Sequence, residues 1–261
     1  MQRSRNARVA GDSWFVVARP VERPRLRLFC FPYAGGSAVV FHRWPEGLPG
    51  DVEIRALQLP GRSFRLTEPP LPRLDRVLDA IEPVIAPLLD VPFAFFGHSM
   101  GGLIAFELAR RLRRRGQREP ACLLISGRRG PDVPETEPSI GALPEDQFLV
   151  ELSRRHGAPA ELLQNPELIE LVMPSLRADF ELLETHAYVA EEPLGCPITI
   201  FGGKGDTGVP IAHLEAWRAH TRAPFHMHLL PGGHFFLQSA QAELLGLLSA
   251  ELRRLGAADR A

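Results

Sequence analysis

Gly97-His98-Ser99-Met100-Gly101-Gly102 follows an apolar run at 91–96 (VPFAFF) and precedes residues 103–115, where Ala105, Leu108, Ala109 and Leu112 recur at helical spacing. A buried strand, a serine-bearing turn and an amphipathic helix are thereby set end to end. G-x-S-x-G places a serine hydroxyl on a sharp turn above a sheet, and Gly97 and Gly101 stand where a Cβ would collide with neighbouring backbone. The stretch reads as a nucleophile elbow. In it Ser99 is the candidate nucleophile, the Met100 amide a candidate oxyanion donor, and the helix N-terminus faces developing negative charge. A glycine turn without chemistry is the alternative, and the strand-before, helix-after context weighs against it.

Outward from the elbow, strand-like runs recur at 14–17, 26–31, 53–59, 93–96, 121–126, 198–201 and 226–230, with helix-like segments between most of the later ones. That alternation predicts an α/β fold, a mostly parallel sheet with helices on both faces, and short early connections allow an antiparallel edge. Pro83 and Pro87 interrupt the apolar periodicity of 71–89, so that helix is expected to kink or break. About seventy residues separate the strand ending near Gly127 from the one at Ile198, more than a crossover helix needs. An insertion at about 130–190 is expected within a single domain spanning 1–261. It opens on the Pro-rich loop RRGPDVPETEP and continues with helix-like segments at 145–156, 159–164, 166–173 and 175–188, Asn165 capping the third. Leu163, Leu168, Val172, Met173, Leu176 and Phe180 exceed what one packing face requires, so the insertion is read as a lid over the elbow rather than added core.

Composition narrows the classes. The 261 residues are 45% hydrophobic, enough for a sizeable core, and 30 basic against 31 acidic residues give a formal charge of −1. No overall field favours nucleic acid or an anionic membrane. Lys204 is the sole lysine, and no function is drawn from that. Cys30, Cys122 and Cys196 lie in or beside apolar strand-like runs and read as core filling. No signal-peptide pattern opens the chain and no apolar stretch approaches membrane-spanning length, so a soluble cytoplasmic protein is expected. The arginine run 110–115 reads as a solvated helix end, with a dock for an acidic partner as the alternative.

Serine needs a base, and the base an acid that fixes its tautomer. In an open α/β sheet both belong on loops at the strands' carboxyl ends, following the serine as acid and then histidine. His234, in PGGH directly after the run FHMHLL, is the candidate base; His226 and His228 fall within that strand, and His213 and His220 on a helix. Asp206, in GGKGD after PITIF, is the candidate acid, with Asp179 in a lid helix as the weaker one. The loop FPYAGG at 31–36 offers the Ala34 amide as a second oxyanion donor. His98 reads as a packing or orienting group.

FCFPYAGGSA at 29–38, LQLPGR at 57–62, FFGHSMGG at 95–102, GGKGD at 202–206 and PGGHFFL at 231–237 together resemble the type II thioesterases of polyketide and nonribosomal peptide assembly lines. The resemblance spans nearly the whole chain. It implies an α/β-hydrolase fold with a helical lid, with Ser99, Asp206 and His234 as catalytic triad and the Ala34 and Met100 amides as oxyanion hole. It also implies hydrolysis of acyl groups stalled on the phosphopantetheine arm of an acyl or peptidyl carrier protein, a transient partner. No metal or organic cofactor is required. An esterase or lipase acting on oxygen esters is the nearest rival. A hydrolase-like binding protein with a lapsed site is a rival of another class, against which the three intact side chains argue.

Overall fold

Strand-forming runs rich in Phe, Leu and Ile alternate with helices. In the computed structural model, which describes residues 14–156 and 165–258, they assemble into one seven-stranded sheet. The strands are β1 (Phe15–Val16), β2 (Leu26–Phe31), β3 (Val52–Leu57), β4 (Phe93–His98), β5 (Leu123–Ser126), β6 (Ile198–Gly203) and β7 (Phe225–Leu230). They lie in the order β1-β3-β2-β4-β5-β6-β7, with β1 antiparallel to β3 and every other pairing parallel. The mostly parallel sheet and its early antiparallel edge are as the sequence implies. The helices are α1 (Leu74–Ile85), α2 (Met100–Arg114), α3 (Glu145–His156), α4 (Pro166–Thr185), α5 (Ile211–Glu215), α6 (Phe236–Ser239) and α7 (Gln241–Ala258).

Successive side chains of a strand point to opposite faces, so each strand feeds two cores. Phe29, Phe31, Phe93, Phe95, Leu123 and Ile125 pack with Val77 and Ile81 of α1 and Leu108 and Leu112 of α2. Leu28, Cys30, Ala94, Phe96 and Leu124 pack on the other face with Trp44 and with Leu244, Leu248 and Leu252 of α7. Both faces are covered, which is why the central strands read as unbroken apolar runs. Each fully buried phenylalanine contributes roughly 1.5–3 kcal/mol. All three cysteines are buried free thiols.

The two proline-marked helical segments behave differently. The helix within 71–89 breaks as expected: α1 tolerates Pro83 on its exposed face and ends two residues later at Ile85, and the chain continues as a 3-10 turn, Ala86–Leu88, that contains Pro87. The segments expected at 166–173 and 175–188 form one helix, α4, which carries Pro174 on its exposed side and ends at Thr185, three residues earlier than expected. Its start is as expected, the Asn165 side chain accepting from the Leu168 N–H at 3.1 Å. Ala240 separates α6 from α7. The expected segment 159–164, with Leu163, lies outside the described residues. Between β5 and β6, Phe148 and Leu152 of α3 meet Met173, Leu176 and Phe180 of α4 and Ile140 in a small third core.

The arginine run is a solvated end only at Arg114 and Arg115, which are exposed, and its arginines are already paired with acids of this chain. Arg110 is buried and pairs with Glu107 at 2.5 Å and Glu191 at 2.8 Å. Arg111 reaches Asp79 and Glu82 of α1, Arg113 and Arg114 share Glu191, and Arg115 returns to Glu82. Apart from Glu107, three residues before Arg110 on α2, helical periodicity does not reveal this, because the acidic partners come from α1 and from the chain beyond α4. Among the described residues no helix is long and apolar enough to cross a membrane.

Candidate active site

Parallel pairing brings the carboxyl ends of β2, β4, β5, β6 and β7 to one edge, where the loops carrying the candidate residues emerge. Ser99 follows β4 directly, at φ 53° and ψ −114°, a conformation that costs a non-glycine residue about 1–3 kcal/mol. Its N–H donates to the Ser126 carbonyl at 2.8 Å, tying the strained residue to β5. A Cβ on Gly97 would overlap the Gly101 carbonyl, and one on Gly101 would overlap the Phe31 carbonyl. Both glycines are therefore demanded by close backbone approach, as the motif implies.

Asp206 and His234 meet beyond the ends of β6 and β7. The Nδ1 of His234 lies 2.7 Å from Asp206 Oδ2, and both side chains are nearly buried, at 6% and 3% exposure. A carboxylate only accepts, so Nδ1 carries the proton and Nε2 is left as an acceptor. Asp206 Oδ1 also accepts from the Gly208 N–H at 3.0 Å. Two backbone bonds join the loops that carry the pair, Lys204 N–H to Leu230 O and Gly205 N–H to Gly232 O, each 2.8 Å. Ser99, His234 and Ala34 line one cavity of about 700 Å³, within the range of small-molecule sites.

His98 lies behind the site, fully buried, its Nδ1 2.9 Å from Ser126 Oγ. Burial foremost, then the neighbouring His234, hold its pKa well below the ordinary histidine value. A histidine kept neutral in this way packs against the Tyr33, His234 and Phe236 rings, in keeping with an orienting role.

After β2 the chain turns at Tyr33-Ala34-Gly35-Gly36. Gly36 N–H closes on Tyr33 O at 2.8 Å, and Gly35 has φ +76°, as the third position of a type II turn requires. Among the described residues the Ala34 N–H has no acceptor, and the Met100 amide opens α2, where helical N–H groups are unpaired. The turn is held from outside. Gly35 N–H donates to Asp179 Oδ2 at 2.7 Å, while Arg62 grips the same carboxylate with Nη1 at 2.6 Å and Nη2 at 2.8 Å. Arg62 also donates to Gly36 O at 3.2 Å. Asp179, the weaker candidate acid, is thus committed to Arg62 and the turn, away from His234. The role of Arg62 was not legible from the residues around it. The available signal was an aspartate on the apolar side of α4, between Ala178 and Phe180, which needs a buried cation. Among the described residues no group of three or more His, Cys, Asp or Glu is placed to hold a metal ion.

A strained serine between strand and helix, facing a cavity with a histidine–aspartate pair, on a mostly parallel sheet, defines an α/β hydrolase. The model of the thioesterase domain matches residues 26–252, and the chain belongs to that family, among the type II thioesterases of nonribosomal peptide and polyketide pathways. It is 43% identical to the gramicidin S biosynthesis protein GrsT of Aneurinibacillus migulanus, over 93% of this chain and 94% of that one. With thioesterase PikA5 of Streptomyces venezuelae the identity is 35%, over 92% and 85%. The solved type II thioesterase BorB, from the borrelidin biosynthetic cluster, superposes with a TM-score of 0.85 at 34% identity, covering 92% of this chain and 98% of its own.

Proposed function

We propose that Ser99, His234 and Asp206 carry the thioester hydrolysis of this type II thioesterase, and that its substrates are acyl groups stalled or misplaced on the phosphopantetheine arm of acyl or peptidyl carrier proteins. The observation that carries the reading is the buried 2.7 Å contact between His234 Nδ1 and Asp206, in the cavity that Ser99 also lines. Ser99 Oγ attacks the thioester carbonyl carbon as His234 Nε2 takes its proton. The oxyanion is met by the Ala34 and Met100 amides, and Asp206 stabilises the imidazolium. The carbon–sulfur bond then breaks, and the proton on His234 passes to the departing sulfur. Water, deprotonated by His234, attacks the acyl-serine; the acid leaves and Ser99 recovers its proton. α3 and α4 act as the lid over this cavity within the single domain.

The test is turnover of an acyl pantetheine and a matched oxygen ester by wild type, Ser99→Ala and Asp206→Asn. Wild type is expected to favour the thioester, with Ser99→Ala and Asp206→Asn each slower by at least about 10³-fold. A Ser99→Ala enzyme as fast as wild type would remove Ser99 from the mechanism. An oxygen ester cleaved as well as the thioester would favour the esterase rival.

A further inference from the structure

Four arginines line the cavity of Ser99 and His234, and three are spent on carboxylates. Arg129 pairs with Glu135 at 2.6 Å, Arg154 with Glu137 at 2.7 Å and Glu151 at 3.0 Å, and Arg155 with Glu151 at 3.0 Å. The fourth, Arg128, has no hydrogen-bond acceptor and no ion-pair partner for its guanidinium among the described residues. Nor do the remaining acids of the wall turn to it. Asp132 lies 2.9 Å from His220 Nε2, and Glu184 accepts from the Ile140 and Gly141 N–H groups at 2.7 and 2.9 Å.

The root of Arg128 is fixed. Its carbonyl accepts from Trp217 Nε1 at 2.8 Å, and its Cβ stands 3.3 Å from where a Cβ on Gly102 would be, beside the first turn of α2. Burial foremost, with Arg129 acting in the same direction and Glu135 opposing, pushes its pKa down to about 10. His186, another wall residue, is held below the ordinary histidine value by burial first, then by Arg128 and Arg110. A partly buried arginine without a described counter-ion is available to an anion that enters the cavity, and its planar fork is suited to bidentate capture of a carboxylate.

We propose that Arg128 is an anion-recognition residue of the active-site cavity, taking the carboxylate of a carboxyacyl thioester in preference to a neutral acyl group of similar length. The proposal rests on the hydrolase reading of the cavity and names its substrate class. The acyl end of the substrate is favoured over the phosphate of the arm by position. Arg128 lies two residues beyond Ser126, whose carbonyl holds the Ser99 amide, whereas the phosphate is a whole pantetheine away from the thioester.

The experiment compares succinyl-pantetheine with butyryl-pantetheine as substrates of wild type, Arg128→Met and Arg128→Lys. It also measures calorimetrically the binding of both to Ser99→Ala, with and without Arg128→Met. Wild type is expected to favour the succinyl thioester in kcat/KM. Arg128→Met lowers that preference at least about tenfold, the size of one lost charge-assisted contact, and Arg128→Lys restores part of it. Calorimetry is expected to give the same ordering. A preference within twofold of wild type in Arg128→Met, by turnover and by binding, overturns the proposal. So does a preference that follows phosphopantetheine over pantetheine whatever the acyl group. If neither thioester turns over while the Arg128-dependent binding preference persists, the hydrolase reading fails and the anion site stands.

Discussion

Asp179→Ala separates two jobs that one carboxylate performs. In the native protein Asp179 is 1% exposed and receives three donors, the two terminal nitrogens of Arg62 at 2.6 and 2.8 Å and the Gly35 N–H at 2.7 Å. Removing it leaves the Arg62 guanidinium, 6% exposed, with only the Gly36 and Pro60 carbonyls at 3.2 and 3.4 Å. Breaking a buried ion pair from one side costs about 3–5 kcal/mol. For a chain of this size, at 2–4 °C per kcal/mol, that lowers Tm by roughly 6–20 °C. The second loss is local. Gly35 follows Ala34, and an unheld turn moves the Ala34 amide from its station; loss of one oxyanion donor costs about 10²–10³ in kcat. The double variant Arg62→Met/Asp179→Leu removes both charges, so it is expected to regain most of the Tm while kcat stays depressed, because Gly35 still lacks its acceptor. Thermal unfolding and acyl-pantetheine turnover of the three proteins read these effects independently. A double variant that regains full kcat along with Tm, or an Asp179→Ala protein with wild-type kcat, would refute the positioning argument.

Two further outcomes are expected. Gly101→Ala drives a methyl into the Phe31 carbonyl, and backbone on both sides leaves no room to relax, so soluble yield and Tm fall sharply; a Gly101→Ala protein with wild-type Tm and turnover would show the elbow to be looser than described. The neutral His98 makes folding acid-sensitive. Its folded pKa lies below that of the unfolded chain, about 6.5, so the unfolded state binds the extra proton as pH drops below that value, and stability falls by about 1.4 kcal/mol per pH unit until the folded pKa is reached. Urea unfolding of wild type and His98→Gln at pH 7.5 and 5.5 measures this; equal pH sensitivity in the two proteins would remove His98 as the cause.

The elbow was legible because its demands are local. Gly97 and Gly101 are dictated by a turn whose colliding atoms lie a few residues away or on the adjacent strand, and the apolar runs around it state their burial directly. The Asn165 cap was legible for the same reason, since its partner is three residues on. Placement of His234 and Asp206 followed from a topological rule, that sites form where parallel strands end, without any distance being known. Pro174 misled, because its consequence depends on which side of α4 faces solvent.

By itself, the sequence determined the sheet, the elbow, the candidate triad and its order along the chain, since strand period, glycine geometry and strand-end position are properties of short segments. Only the tertiary structure decided which charges meet. Arg62 finds Asp179 across 117 residues, Arg110 is buried against Glu107 and Glu191, and Arg128 alone among the cavity's arginines is left without a described partner. Ion pairing acts over a few ångströms of space whatever the separation along the chain. Composition and periodicity therefore count these charges, while the packed fold assigns their partners.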